Sequence, residues 1–160
     1  MKVAVCDDQE IYLRAVDNEI KDLSYLSISL FEDSTKLAKE IENGEYYDLF
    51  ILDIEMPDLD GMELAKIIKS YIKNPIIIFL TSYTDYVYNA FEIEAFRFIP
   101  KESMNGKILS TIEEYVDKLS QDSAQINGGI GDDRFPNGVD RRVGDLCEHL
   151  LEVIKQRRIL

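Results

Sequence analysis

The chain has 160 residues and a formal net charge of −13; residues 121–160 hold six Lys/Arg against seven Asp/Glu, or −1, leaving −12 for residues 1–120. A strongly acidic domain without a basic stripe is repelled by nucleic-acid phosphates, so direct DNA binding is not expected of it. No apolar run approaches the roughly 20 residues of a membrane span, and MKVAVCDDQE turns acidic too early for a secretion signal, so a cytoplasmic location is expected.

One domain of about 120 residues plus an extension fits this length. Lys2–Cys6 reads as a first strand, and Asp8 is placed to cap a helix over Glu10–Leu23, where Ile11, Val16, Ile20 and Leu23 share an apolar face. Ser27–Phe31 reads as a second strand. Asp33 or Ser34 can cap the next helix, which runs through Ile41 and is closed by Gly44. Tyr47–Leu52 has the continuous apolar character of a strand covered on both faces. Pro57 and Gly61 punctuate the following loop, and Gly61–Tyr71 carries a helical pattern. Ile76–Leu80 is another doubly buried strand, introduced by Asn74-Pro75. Asp85–Phe91 is expected as a short helix, Ala95–Ile99 as a fifth strand and Asn105–Leu119 as a last helix.

Beyond residue 120, residues 121–139 are polar and rich in Gly and Asp, which reads as a linker. Asp140 can cap a final helix over about Arg141–Arg157 within residues 140–160, with Val143, Leu146, Leu150 and Ile154 as an apolar stripe. Strands alternating with helices imply an α/β fold: a doubly wound, five-stranded parallel sheet with flanking helices, flavodoxin-like in its layers, plus a C-terminal helical extension.

In such sheets ligands sit beyond the carboxyl ends of the strands, near the reversal of strand order. Asp7, Asp8, Asp53, Thr81 and Lys101 all fall at or just past predicted strand ends. Three carboxylates gathered at one edge repel one another unless a divalent cation is bound, and Mg²⁺ prefers oxygen ligands. Asp53 is the candidate nucleophile, able to attack phosphorus and form an acyl phosphate. Asp7 and Asp8 are suited to the ion, although Asp8 can equally cap the first helix; the carbonyl of Glu55 is a further candidate ligand. The Thr81 hydroxyl can hydrogen-bond a phosphoryl oxygen, or simply end a strand. Lys101 can pair with Asp53 or with an added phosphoryl group. Phe98 is either core or a rim aromatic that changes position with Thr81. Cys6 reads as a small core hydrophobe, and His149 has no partner at ligand spacing. Cys6 and Cys147 suggest no disulfide.

In order, spacing and strand context, the acidic pair Asp7-Asp8, Asp53 in LDIEMPDLDG, Thr81-Ser82 and Lys101 resemble the receiver domain of bacterial two-component response regulators over residues 1–119. The stretch SYTDYVYNAFEIEAFRFIPK looks like receivers that carry a LytTR-type DNA-binding domain. The resemblance implies a phosphorelay switch, a phosphoprotein rather than a turnover enzyme. In it Asp53 accepts phosphate from a sensor histidine kinase, Asp7 and Asp8 organise Mg²⁺, and Lys101 senses the new charge. Thr81 and Phe98 would couple that charge to the face made by the fourth helix, fifth strand and fifth helix, a possible homodimer surface alongside the C-terminal helix. Glu55 and Tyr83 occupy positions that resemble those tuning dephosphorylation.

Two departures stand out. Such receivers usually place proline after the lysine, whereas this chain reads Pro100-Lys101-Glu102. Residues 121–160 are also too few for a strand-rich DNA-binding domain, which suggests either a receiver-only protein or a receiver fragment of a LytTR-type regulator. A phosphorylation-independent interaction module is the main alternative of a different class. An aspartyl phosphatase lacks a substrate-covering module, and a flavin phosphate would be repelled by Asp7-Asp8.

Overall fold

The computed structural model describes residues 1–82 and 93–126, with side chains described through Leu119. Strands β1 (Lys2–Cys6), β2 (Ser27–Phe31), β3 (Leu49–Leu52), β4 (Ile76–Thr81) and β5 (Arg97–Pro100) form one sheet in the order β2-β1-β3-β4-β5. Every neighbouring pair is parallel. Helices α1 (Glu10–Ile20), α2 (Ser34–Glu42) and α3 (Gly61–Tyr71) join the first four strands, and a closing helix spans Lys107–Ile126. This is the doubly wound parallel sheet expected from the alternating pattern. The chain divides into two compact units, Met1–Leu109 and Ser110–Leu160, and the whole sheet lies in the first.

Because successive side chains in a strand point to opposite faces, each central strand is apolar throughout. Ala4, Cys6, Phe50, Leu52, Ile77 and Phe79 share one core cluster with Leu37 and Ile41 of α2 and Leu64 and Ile68 of α3. The alternate residues Val3, Val5, Leu49, Ile51, Ile78 and Leu80 are equally buried on the other face, the side of α1 with its buried Leu13, Val16 and Ile20.

Side-chain caps explain the starts of α2 and α3. Asp33 accepts the Thr35 N–H at 2.9 Å to open α2, and Gly44, at φ 93°, follows its end. Asp60 accepts the Glu63 N–H at 2.8 Å to open α3, whose bounds are those expected. The first helix differs. Its N-cap is Gln9, not Asp8, and no side chain caps it there; instead Asp7 Oδ1 accepts the Gln9 N–H at 2.9 Å. It also stops at Ile20 rather than Leu23, since Leu23 and Leu26 turn back onto Ile20 and Leu23 carbonyls.

Other bounds shift by local chemistry. β3 begins at Leu49 rather than Tyr47, because Asp48 uses its carboxylate to take the Lys2 N–H at 2.6 Å. β5 covers Arg97–Pro100 rather than Ala95–Ile99; as the outermost strand it tolerates a proline without an N–H. A 3₁₀ turn at Lys101–Ser103, not expected, follows it. The closing helix starts after Gly106, whose φ is 74°, and continues to Ile126 instead of stopping at Leu119. Residues 120–126 contain no Gly or Pro, so residues 121–126 extend this helix where a linker was expected to begin. The expected helices over Asp85–Phe91 and Arg141–Arg157 lie outside the described residues.

Candidate functional site

Strand order reverses between β1 and β3, which are direct neighbours with Cys6 opposite Leu52. The next residue on each strand is an aspartate. The Asp53 N–H donates to the Cys6 carbonyl at 2.9 Å and the Asp7 N–H to the Phe31 carbonyl at 3.1 Å, so main-chain pairing delivers both carboxylates to one edge. Carboxylate oxygens of Asp7, Asp8 and Asp53 lie within 4.8 Å of one another. Asp7 and Asp53 are buried and Asp8 is exposed, so the cluster opens to solvent on the Asp8 side.

Lys101 enters from the end of β5. Its Nζ lies 3.0 Å from Asp53 Oδ2, to which it donates a hydrogen bond, and 2.6 Å from Asp7 Oδ2. All three side chains are almost wholly removed from solvent. Pro100 precedes Lys101 through a trans bond, and the lysine still reaches the site without a proline behind it. The other Asp53 oxygen, Oδ1, accepts the Ile54 N–H at 2.8 Å. Asp7 Oδ2 meets the ammonium as an ionic contact rather than a directed hydrogen bond, which leaves a buried carboxylate oxygen short of partners.

Burial disfavours the charged form of Asp7 and Asp53 adds repulsion; together they outweigh Lys101 and hold the Asp7 carboxyl above its ordinary range. Burial also opposes the charge of Lys101, but the two carboxylates beside it prevail and raise its pKa. An all-oxygen donor set with an under-satisfied buried oxygen fits Mg²⁺, and Asp7, Asp8 and Asp53 are the residues that would hold it. The Glu55 carboxylate is exposed and is not part of that cluster; it borders a cleft lined also by Ile54, Met56, Pro57, Asp60 and Met62.

Thr81, the last residue of β4, is fully buried and stands opposite Pro100, one residue before Lys101. Phe98 is partly buried and packs against the core on the α2 and α3 face. Tyr83, Cys147 and His149 lie outside the described residues. Cys6 is core, as expected: burial first, then the surrounding acids, push its thiol up to about 12.

Two contributors escaped the sequence reading. The Tyr12 ring centroid lies 3.9 Å from Lys101 Nζ, a cation–π contact from the first turn of α1. Gly61 both punctuates the loop and opens α3, and a Cβ there would fall 1.9 Å from the Asp53 carbonyl oxygen, so this turn packs directly on the backbone of the candidate nucleophile. The DLDG spacing hinted at Gly61; nothing local pointed to Tyr12.

Residues 3–113 match the response regulator receiver domain family. The transcriptional regulatory protein NatR of Bacillus subtilis is 30% identical over 131 residues, which cover 81% of this chain and 55% of that protein. The response regulatory domain of MrkE from Klebsiella pneumoniae superposes with a TM-score of 0.69 at 29% identity, covering 76% of this chain and 99% of that domain. The response regulator TrrA of Thermotoga maritima, solved with Mg²⁺ and BeF, gives a TM-score of 0.63 at 27% identity, covering 71% and 96% respectively. The chain spans about half the length of the curated relatives it matches.

Proposed function

The chain belongs to the response regulator receiver domain family, and from that membership we propose that Asp53 accepts a phosphoryl group from the phosphohistidine of a sensor kinase. The observation that carries this reading is the buried Asp53 carboxylate, flanked by an oxygen cluster suited to Mg²⁺ and by the Lys101 ammonium at 3.0 Å. A carboxylate oxygen bonds to phosphorus as the donor's phosphorus–nitrogen bond breaks, and the imidazole departs with a proton. Bound Mg²⁺ supplies charge neutralisation for the phosphoryl oxygens. Lys101 exchanges its carboxylate contacts for the new phosphoryl group, and the Thr81 hydroxyl donates to it. The product stays on Asp53, so the chain is a switch, not a turnover enzyme.

Around this centre, the Glu55 carbonyl serves as a further metal ligand, Glu55 and Tyr83 tune loss of the phosphoryl group, and Phe98 relays it. Output proceeds by homodimerisation, through the fourth-helix, fifth-strand and fifth-helix face that the resemblance implies or through residues 140–160. We read residues 1–120 as the receiver, with the linker and the amphipathic helix of 140–160 behind it. The SYTDYVYNAFEIEAFRFIPK stretch supports kinship with LytTR-type regulators. No described helix is long and apolar enough to cross a membrane, and a cytoplasmic site of action agrees with a kinase donor.

Incubation with Mg²⁺ and a small acyl phosphate should add about 80 Da by intact mass, and Asp53→Asn should abolish the gain. Absence of a gain from acyl phosphates and from a panel of histidine kinases would replace this reading with that of a phosphorylation-independent interaction module.

A further inference from the structure

The Lys101 ammonium has three neighbours among the described residues. Two are the Asp7 and Asp53 carboxylates, at 2.6 and 3.0 Å, and the third is the face of the Tyr12 ring. The ring and one carboxylate are set by the same short turn. The Gln9 N–H is held by Asp7 Oδ1, while the Gln9 carbonyl accepts the Tyr12 N–H at 3.0 Å. Tyr12 thus sits half-buried, locked to the strand end that supplies Asp7.

A lysine ammonium is a compact charge on a flexible stem, so its direction must come from its surroundings. Pro100 fixes the backbone before Lys101, with φ −65°, but the residue after it is the exposed Glu102 in a 3₁₀ turn. Asp53 Oδ2 accepts a directed hydrogen bond from the ammonium at 3.0 Å, while Asp7 Oδ2, at 2.6 Å, meets it only as an ionic contact. A divalent cation held by Asp7, Asp8 and Asp53 would compete with the ammonium for the same negative charge. The ring face is uncontested: its quadrupole attracts the ammonium whether or not those oxygens are engaged.

We propose that Tyr12 is a positioning residue whose ring face holds the Lys101 ammonium beside Asp53, so that the charge is in place when a phosphoryl group arrives. The proposal rests on Asp53 being the phosphoacceptor, but the placement itself is measurable without phosphorylation. For a contact as desolvated as this one, loss of the ring should slow acceptance about five- to thirtyfold.

The test uses the full 160-residue chain as wild type, Tyr12→Phe, Tyr12→Leu, Lys101→Ala and the Tyr12→Leu/Lys101→Ala double variant. In the unphosphorylated protein, NMR of the Lys101 ε-methylene should show an upfield ring-current shift and restricted motion in wild type and Tyr12→Phe. Both should be lost in Tyr12→Leu. With Mg²⁺ and an acyl phosphate, the initial rate of mass gain should be kept by Tyr12→Phe and fall by the stated factor in Tyr12→Leu. In the Lys101→Ala background, Tyr12→Leu should change nothing further. A ring-fluorinated phenylalanine at position 12, which weakens the ring face while keeping its shape, should give an intermediate rate in a protein that folds normally.

A Lys101 ε-methylene as restrained in Tyr12→Leu as in wild type would overturn the proposal. So would equal slowing with and without Lys101, or indifference to ring fluorination. If wild type accepts no phosphoryl group, the functional reading falls by itself, and the NMR comparison still decides what Tyr12 does.

Discussion

At the acidic edge three carboxylates cluster and one ammonium pairs with two of them, a formal −2 from three negative charges and one positive. Asp7 bears the strain of this arrangement: burial, with repulsion from Asp53, holds its pKa above the ordinary 3.8. A carboxyl whose folded pKa is raised costs no stability below its unfolded pKa, and the cost grows as pH rises through the folded value. Asp7→Asn should therefore raise the melting temperature of metal-free protein at neutral pH, with the advantage shrinking as pH falls toward 3.8. Asparagine keeps the oxygen that accepts the Gln9 N–H, so the turn survives the change. The same variant should lose Mg²⁺-dependent stabilisation, which for wild type reaches about 2.7 kcal/mol at a hundredfold excess over the dissociation constant. Thermal melts across pH, with and without Mg²⁺, check both outcomes. Asp7, Asp8 and Asp53 were legible because each ends an apolar run. Tyr12 was not, because a tyrosine on α1 has no local mark of facing a lysine beyond β5.

Among the elements, α3 is where sequence and site meet most closely. Its first residue, Gly61, donates its N–H to the Ile54 carbonyl at 2.8 Å and lies too near Asp53 for any side chain. The constraint is space rather than a left-handed backbone, and the obstructing atoms are main chain that cannot swing aside. Gly61→Ala should cost about 2–3 kcal/mol in urea unfolding, and it should also lower the rate of phosphoryl acceptance by displacing Asp53. An unfolding midpoint equal to wild type would contradict this close packing. Strand and helix identities were readable from periodicity, since IIIFL and LFIL leave no polar face. Their ends were less so. Asp48 turned its side chain to the Lys2 backbone, Asp7 rather than Asp8 engaged the start of α1, and the closing helix passed Leu119 because no breaker stops it before Asn127-Gly128.

For the whole molecule, charge sets the expectation. With −12 on residues 1–120, association with DNA should be weak and non-specific even at low salt, where cationic binders gain most. A gel-shift titration at low ionic strength should show no sequence-specific complex. Sedimentation before and after phosphorylation should show a shift toward dimer if output runs through homodimerisation. An unchanged monomer would direct attention to a heterologous partner.

The sequence by itself determined the layered α/β fold and the acidic edge, because buried parallel strands demand continuous apolar runs and functional acids interrupt them only at strand ends. It also named Lys101, one residue past β5. Only the tertiary structure decided that Lys101 reaches Asp7 and Asp53 despite a proline before it instead of after it, that Tyr12 faces its ammonium, and that Gly61 abuts the Asp53 backbone. Those are distances between residues far apart in the chain. They follow from strand order and register, which periodicity along one strand does not encode.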